Sequence, residues 1–347
     1  MKILQLNTEK TWRGGERQTL FSILGLIQKG LNCKLLTLRG SYMHSKSESM
    51  AVPLILVKNN LTAFLKICII GKKFDIIHAQ TAKTHTLAVL SKFIHRARVV
   101  YTRRVDFFPK GFFTKLKYKF TDEVIAISPE IAVVLYESGM REKCDVISST
   151  YMPTQINLTR AKQLKEDLDI ANKTKVVGVV AALESHKDPY TSVDTALELL
   201  KKRNDFVFLH FGSGSLHTKV QKYIEDSNLS GKYLLMGYVE NVEDFFGIMD
   251  VFLMSSEKEG LGSSVFDAFY NEVFVVSTNA GGLKGLVNDR GKICKVSDYH
   301  CLSNEIDKFF NSKTKPREVA IAKKYCTDNI SLEKITEKYI LCYRKLK

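Results

Sequence analysis

No CxxC pair occurs among the seven cysteines, at positions 33, 68, 144, 294, 301, 326 and 342, and no His, Cys, Asp or Glu cluster has metal-ligand spacing. The first absence excludes a zinc ribbon, and the odd number argues against a disulfide frame. All seven are expected as reduced, mostly buried thiols of a cytosolic protein. Long apolar runs are also missing. None reaches 18 residues, and the stretch 61–70 is broken by Lys66, so no membrane-spanning helix is expected. The opening Met1-Lys2-Ile3-Leu4-Gln5-Leu6 is too short for the apolar core of a signal peptide and reads as a first strand. Acidic residues are scarce in the first half. Positions 1–150 hold 11 Asp and Glu against 24 Lys and Arg, whereas 151–347 hold 26 against 28. Nearly all of the net charge of +15 therefore sits in the first half, and the two halves are expected to face different partners.

What is present is an ordinary globular composition, 45% hydrophobic and 26% charged over 347 residues, enough for two cored domains. Short β-rich runs at 2–6, 33–38, 76–78, 99–101, 123–127 and 145–148 alternate with helical periodicity at 18–29, 62–70, 86–94 and 129–138. After a polar hinge region, 150–173, the pattern recurs. Strands are expected at 176–181, 206–211, 233–236, 251–254 and 274–277, with helices at 190–202, 216–226, 242–249 and 264–270. A last helix, 331–347, sets Ile335, Tyr339 and Cys342 on one side. Such alternation predicts α/β architecture with two doubly wound parallel sheets in tandem, whose ligands bind at the carboxyl ends of the strands.

The most informative stretch is Ser256-Glu257-Lys258-Glu259-Gly260-Leu261-Gly262-Ser263-Ser264-Val265-Phe266-Asp267. It follows a buried-strand pattern, passes two glycines and enters a helix that Ser263 or Ser264 is expected to cap. Glycines let backbone approach a ligand, and free N–H groups at a helix start attract an anion. Carboxylates on either side of such a cradle suit a phosphate-bearing ligand with hydroxyls at both ends. A nucleotide-sugar has that shape.

Glu259 and Asp267, eight apart, resemble the paired-acid signature of retaining glycosyltransferases of family 4, and the resemblance runs in order along most of the chain. Arg13-Gly14-Gly15-Glu16-Arg17 is similar to that family's N-terminal glycine loop. The run from Gly178 through Ala182 to Lys187 resembles its G-R-L-x3-K element, and Phe211-Gly212-Ser213-Gly214 its next glycine turn. Met236-Gly237-Tyr238-Val239 is similar to the base-contacting segment, and Asn279-Ala280-Gly281-Gly282 to the late double glycine. The resemblance implies the GT-B fold, two Rossmann-like domains facing a central cleft. It divides the chain into 1–152 on the acceptor side, 153–325 binding the donor, and 326–347 as a C-terminal helix packing back on the first domain.

The same resemblance implies roles. Glu259 and Lys187 would be catalytic, Glu259 on the hydroxyls of the transferred sugar and Lys187 on the diphosphate. Asp267 would take the ribose hydroxyls. Gly14, Gly15, Gly212, Gly214, Tyr238, Val239, Gly260, Leu261, Gly262 and Ser263 would complete the donor site. No metal and no cofactor are implied, the nucleotide-sugar being a substrate. The sequence departs from the family at Ala182, where an arginine is expected, and at Asp267, shorter than glutamate. It departs again at Glu272-Val273-Phe274, at Gly285, and in lacking an Asn-Gly hinge near Ser148-Ser149-Thr150.

On the first-half side, His78 ends one strand and Arg103 and Arg104 end another, making them acceptor-side candidates. Adjacent arginines can clamp a phosphate or carboxylate. The segment 110–120 interleaves four lysines with Phe112, Phe113, Tyr118 and Phe120, a composition suited to an anionic membrane surface. Nucleic-acid binding predicts similar composition and is the lesser expectation; an ordinary amphipathic helix packed on the sheet is the other reading of the segment. The resulting expectation is a metal-independent, retaining hexosyl- or related glycosyltransferase, cytoplasmic and peripheral at the inner face of the cytoplasmic membrane. It would serve a lipid-linked or glycan acceptor in lipopolysaccharide or other cell-surface polysaccharide synthesis. The alternatives are a sugar-nucleotide 2-epimerase on the same fold, or a non-catalytic protein binding nucleotide-sugars or polyanions.

Overall fold

The computed structural model describes residues 1–142, 144–153 and 156–346. The chain divides into two compact units, Met1–Met152 with Asn329–Lys347, and Pro153–Asp328.

The first unit is a seven-stranded parallel sheet. Its strands are β1 (Lys2–Leu6), β2 (Asn32–Leu38), β3 (Leu54–Val57), β4 (Ile76–Ala79), β5 (Arg98–Arg103), β6 (Glu123–Ala126) and β7 (Asp145–Val146), in the order β3-β2-β1-β4-β5-β6-β7. Ile3, Leu4, Leu6, Ile76, Ile77 and Val99 have no exposed surface, as strands covered on both faces require. Side-chain caps start the helices between them. Asn59 accepts from Thr62 N at 2.9 Å to open helix Asn60–Ile70, and Thr81 accepts from Thr84 N at 3.3 Å to open helix Ala82–His95. Residues 329–347 complete this unit. Tyr151 N donates to Ile330 O at 2.9 Å, and Lys29 Nζ in helix Gly14–Gln28 donates to Glu333 at 2.6 Å in helix Leu332–Arg344.

The second unit is a six-stranded parallel sheet of β8 (Lys175–Val180), β9 (Phe206–Phe211), β10 (Tyr233–Gly237), β11 (Val251–Met254), β12 (Phe274–Thr278) and β13 (Lys292–Cys294), in the order β10-β9-β8-β11-β12-β13. Its core stacks Val177, Phe208, Leu253 and Val276 under the helices. Both sheets are doubly wound, and in both the strand order reverses once. The reversal falls between β1 and β4 in the first unit and between β8 and β11 in the second. At such a point neighbouring strands send their loops to opposite sides and leave an opening at their carboxyl ends.

Three expectations are corrected. Cys294 and Cys301, expected as thiols, form a disulfide with Cα atoms 5.8 Å apart, while Cys33, Cys68, Cys144, Cys326 and Cys342 are free. Cys294 ends β13 and Cys301 lies in the first turn of helix Tyr299–Asn311, so a short loop folds one onto the other. Parity of the cysteine count carried no information about so local a pair. The expected hinge 150–173 contains a helix, Leu158–Asp167, opened by Asn157 accepting from Arg160 N at 3.1 Å; Thr154 and Gln155 of that stretch lie outside the described residues. The helix expected at 242–249 is a 3-10 helix, Val242–Ile248. No helix of the described residues is long and apolar enough to cross a membrane.

Candidate active site

The second unit's reversal point carries the two residues singled out as catalytic. β8 runs into Ala181–Glu184 and a single turn, Ser185–Lys187. β11 runs into the glycine-bearing loop that precedes helix Ser264–Tyr270. Main-chain bonds lace the two loops together. Glu257 N and Lys258 N both donate to His186 O at 3.0 Å, and Ser255 Oγ donates to Asp188 O at 2.9 Å and Lys187 O at 3.3 Å. The result is that Lys187 Nζ donates to the Glu259 carboxylate, an ion pair whose side chains are only 19% and 12% exposed. A low-dielectric setting strengthens such a pair and holds both groups in one place.

A third loop braces Glu259 from behind. Gly282 N donates to Glu259 O at 3.0 Å, and a Cβ at Gly282 would run into Gly260 O and come within 3.2 Å of Leu261 Cα. Only glycine allows that approach. Thr278 Oγ1 donates to Ser256 O at 2.6 Å, anchoring the loop's first half to the end of β12. Neither serine caps the helix as expected. Ser263 makes no capping bond, and Ser264 Oγ turns back to Val180 O at 3.3 Å, tying the helix start to β8. Asp267 is buried, four residues beyond Ser263.

The remaining donor candidates stand at the carboxyl ends of β9, β10 and β11. Gly212 has φ +149°, and a Cβ there would strike Ala181 O; its N–H donates to Gly237 O at 2.8 Å. One glycine thus joins the ends of β8, β9 and β10. Gly214 packs on the backbone of Leu183, and Tyr238 and Val239 follow β10, Tyr238 exposed and Val239 half-buried. Gly260, Leu261 and Gly262 fill the stretch between Glu259 and Ser263, with Leu261 buried.

The first unit's reversal point is built from side chains instead. A Cβ at Gly15 would lie 3.5 Å from Arg104 Cδ, so the loop after β1 touches the residue after β5; Gly14 beside it is exposed. Arg104 Nη2 donates to Gln80 Oε1 at 2.6 Å, and Gln80 Nε2 donates to Gln5 Oε1 at 2.8 Å. Gln5 Nε2 donates to Tyr343 OH at 3.2 Å, which pairs with His78 Nδ1 at 2.6 Å; His78 Nε2 meets Thr102 Oγ1 at 2.7 Å. His78 is wholly enclosed, and burial, aided by the Arg104 charge, lowers its pKa to about 3. Arg103 is also turned inward, donating to Tyr118 OH at 2.8 Å and to Phe107 O. Arg104 alone of the three keeps an opening to the surface. Burial raises the pKa of Glu16 in the same neighbourhood, where its carboxylate accepts from Arg13 N at 2.9 Å.

Sequence reasoning passed over Gln80 and Tyr343, and gave no role to Gln5 in its first strand or to Glu16 in its glycine loop. The available signal was a glutamine in the middle of the apolar run Ile3–Leu6, a polar residue that a buried strand tolerates only with partners. Among the described residues, no group of His, Cys, Asp and Glu is arranged to hold a metal ion.

Comparison with known proteins bears on both units. Residues 161–325 match the family model described as glycosyl transferases group 1. The chain is 26% identical over 180 residues to a 2-deoxystreptamine N-acetyl-D-glucosaminyltransferase of Niallia circulans, an alignment covering 48% of this chain and 46% of that one. It is 24% identical over 232 residues to the lipopolysaccharide core biosynthesis glycosyltransferase LpsE of Rhizobium meliloti, covering 65% and 66%. The chain thus spans between about half and two thirds of the length of these relatives. Its fold superposes on the crystal structure of Anabaena HepE in complex with UDP and glucose with a TM-score of 0.87, at 19% identity over 99% of each chain. Two doubly wound parallel sheets with this superposition give the chain the GT-B fold, and its residues 161–325 match the glycosyl transferases group 1 model.

Proposed function

We propose that the protein is a retaining, metal-independent glycosyltransferase. It moves a hexosyl or related residue from a nucleotide-sugar to a membrane-associated glycan or lipid, in lipopolysaccharide or similar cell-surface glycan synthesis. The observation that carries this reading is the Lys187–Glu259 pair, clamped between the β8 and β11 loops of the family-matched domain. HepE in complex with UDP and glucose supports the donor class, and LpsE the acceptor class. Lys187 places a fixed cation where negative charge grows on a departing diphosphate, which is worth most when the group is held before reaction begins. Glu259 accepts hydroxyls of the transferred sugar, and Asp267 those of the ribose. Retention follows if the leaving phosphate itself takes the proton of the incoming hydroxyl on the same face. A fixed ammonium supplies the charge for which other enzymes recruit a divalent ion, so chelator is expected to leave turnover unchanged. The proposed location is the cytoplasmic face of the membrane.

The test is donor turnover against a panel of nucleotide-sugars, with and without EDTA. Glu259→Gln should abolish turnover while UDP still binds, and should bind UDP more tightly than wild type because Lys187 loses its internal partner. Parallel loss of turnover and UDP binding would refute the assignment. Release of an epimerised free sugar without any acceptor would replace transfer by epimerisation.

A further inference from the structure

Three helices of the first unit, Asn60–Ile70, Ala82–His95 and Phe112–Lys119, precede β4, β5 and β6. The strand order makes these three crossovers run the same way along the sheet, so right-handed connections set the helices side by side on one face. Their inner sides share a core through Ala63 and Ile67, Ala88 and Val89, and Tyr118. Lys117 Nζ donates to Thr86 Oγ1 at 3.1 Å, and the Phe93 ring lies 5.3 Å from that of Phe120, which makes the second and third helices neighbours.

The outer sides of these helices are apolar. Leu61, Leu65 and Ile69 recur every four residues opposite Ala63 and Ile67, with Ile69 66% exposed. On the second helix Leu90, Phe93 and Ile94 face out, Phe93 at 68%. Phe112 and Phe113 open the third, Phe113 at 81%. The outer side of a solvent-facing helix ordinarily carries charges. Here none of the three helices has an Asp or Glu, while Lys66, Lys83, Lys115 and Lys119 are exposed among the apolar residues.

That combination narrows the occupant. Leucine and isoleucine give bases nothing to stack on, so a nucleic acid would waste most of the face. A second copy of the same face would set lysines against lysines. Apolar side chains fringed by cations match an anionic lipid surface, with phosphates at the level of the ammonium groups and acyl chains below.

We propose that this three-helix face seats the protein on an anionic bilayer. Phe93, Phe112 and Phe113 enter the headgroup–acyl boundary, and Lys66, Lys115 and Lys119 meet lipid phosphates. This deepens the membrane-associated acceptor of the proposed function, on which it rests for its purpose, by naming the surface that reaches it.

The experiment is co-sedimentation with vesicles of equal parts phosphatidylglycerol and phosphatidylcholine, against phosphatidylcholine alone. Wild type should bind the first and not the second. Changing Lys66, Lys115 and Lys119 together to Gln should weaken binding about a hundredfold, at roughly fivefold per lysine near the surface. Changing Ile69, Phe93 and Phe113 together to Ser should weaken it at least tenfold. All six side chains are exposed, so melting temperature and UDP binding should stay at wild-type values in both variants. In a Trp12→Phe background, Phe113→Trp fluorescence should shift to the blue on the anionic vesicles alone. Failure of wild type to bind, or full binding by the Ile69/Phe93/Phe113 variant, would overturn the proposal while UDP binding and turnover on a soluble acceptor left the transferase reading standing. Vesicle binding without any donor turnover would do the reverse.

Discussion

The two units share a winding and a reversal point but arm that point by different means. In the second unit Lys187 and Glu259, the side chains proposed to act, are positioned by main chain. Amides of Glu257, Lys258 and Gly282 fix the loops, and glycines let them touch. In the first unit the corresponding place is a relay of side chains, Arg104, Gln80, Gln5, Tyr343, His78 and Thr102, closed from below by helix Leu332–Arg344. Main-chain lacing tolerates little change in loop geometry, whereas a side-chain relay can be re-spelled residue by residue. The proposed donor site, which would recognise one kind of diphosphate, would gain from the first arrangement. The proposed acceptor site, adapted to one particular glycan, would gain from the second.

The largest effect expected to test this contrast is on turnover. Lys187→Ala should lower kcat/KM by roughly 2–4 kcal/mol, the scale of one lost electrostatic donor in a preorganised site. Arg104→Gln, in the other unit, should raise the acceptor KM about tenfold and leave UDP affinity unchanged. Steady-state kinetics with both substrates varied would show it. If Arg104→Gln weakened UDP and Lys187→Ala did not, the division of labour would be inverted.

Next comes the disulfide. Cys294→Ser should lower the stability of the second unit by about 2 kcal/mol, the entropic value of so short a loop, and leave hydrogen exchange in the first unit unchanged. Loss of protection in β1 or β4 would mean that the units do not unfold separately. In a reducing compartment the bond should open, which alkylation of Cys301 with and without reductant would detect.

The smallest effect concerns acid. Burial lowers the pKa of His78 and His85 in the first unit to about 3, and that of His210 in the second to about 4. Each stays neutral when folded and takes up a proton when unfolded below about pH 6.5, so its stabilising contribution is complete above that pH and lost as pH falls towards 3. Each should cost about 1 kcal/mol between pH 6.5 and 5.5. The first unit should therefore soften faster on acidification, and His78→Gln should flatten its pH dependence. Equal softening of β1 and β8 by hydrogen exchange would contradict this.

Much of the fold was legible because buried parallel strands are near-continuous apolar runs separated by helical periodicity, as Val251–Met254 and Phe274–Thr278 show. The short strands Leu54–Val57 and Lys292–Cys294 were missed. Both sit beside helices whose signals were weak, Tyr42–Ser49 being polar after Met43 and Tyr299–Asn311 opening on Tyr, His and Cys. The loops proposed to hold the donor were legible as close backbone approaches through their glycines, since such an approach leaves a residue-type trace. The pairing of Lys187 with Glu259 was not, because the two are 72 residues apart and only the adjacency of β8 and β11 brings them together. His78 looked accessible from its place at a strand end. The structure encloses it with Tyr343, a partner 265 residues away that no local pattern announces.

That partner has a consequence for how the protein is made. Tyr343 belongs to the first unit, yet the ribosome delivers it only after all of Pro153–Asp328. At roughly 5–20 residues per second, that delay is on the order of 10–35 s. During it, Gln5 and His78 wait with their final partner missing, beside a sheet whose other strands have all emerged. The second unit, continuous in the chain, has no such wait. Newborn chains should therefore close their later half first, and a chaperone that shields half-finished sheets should be found on the earlier one.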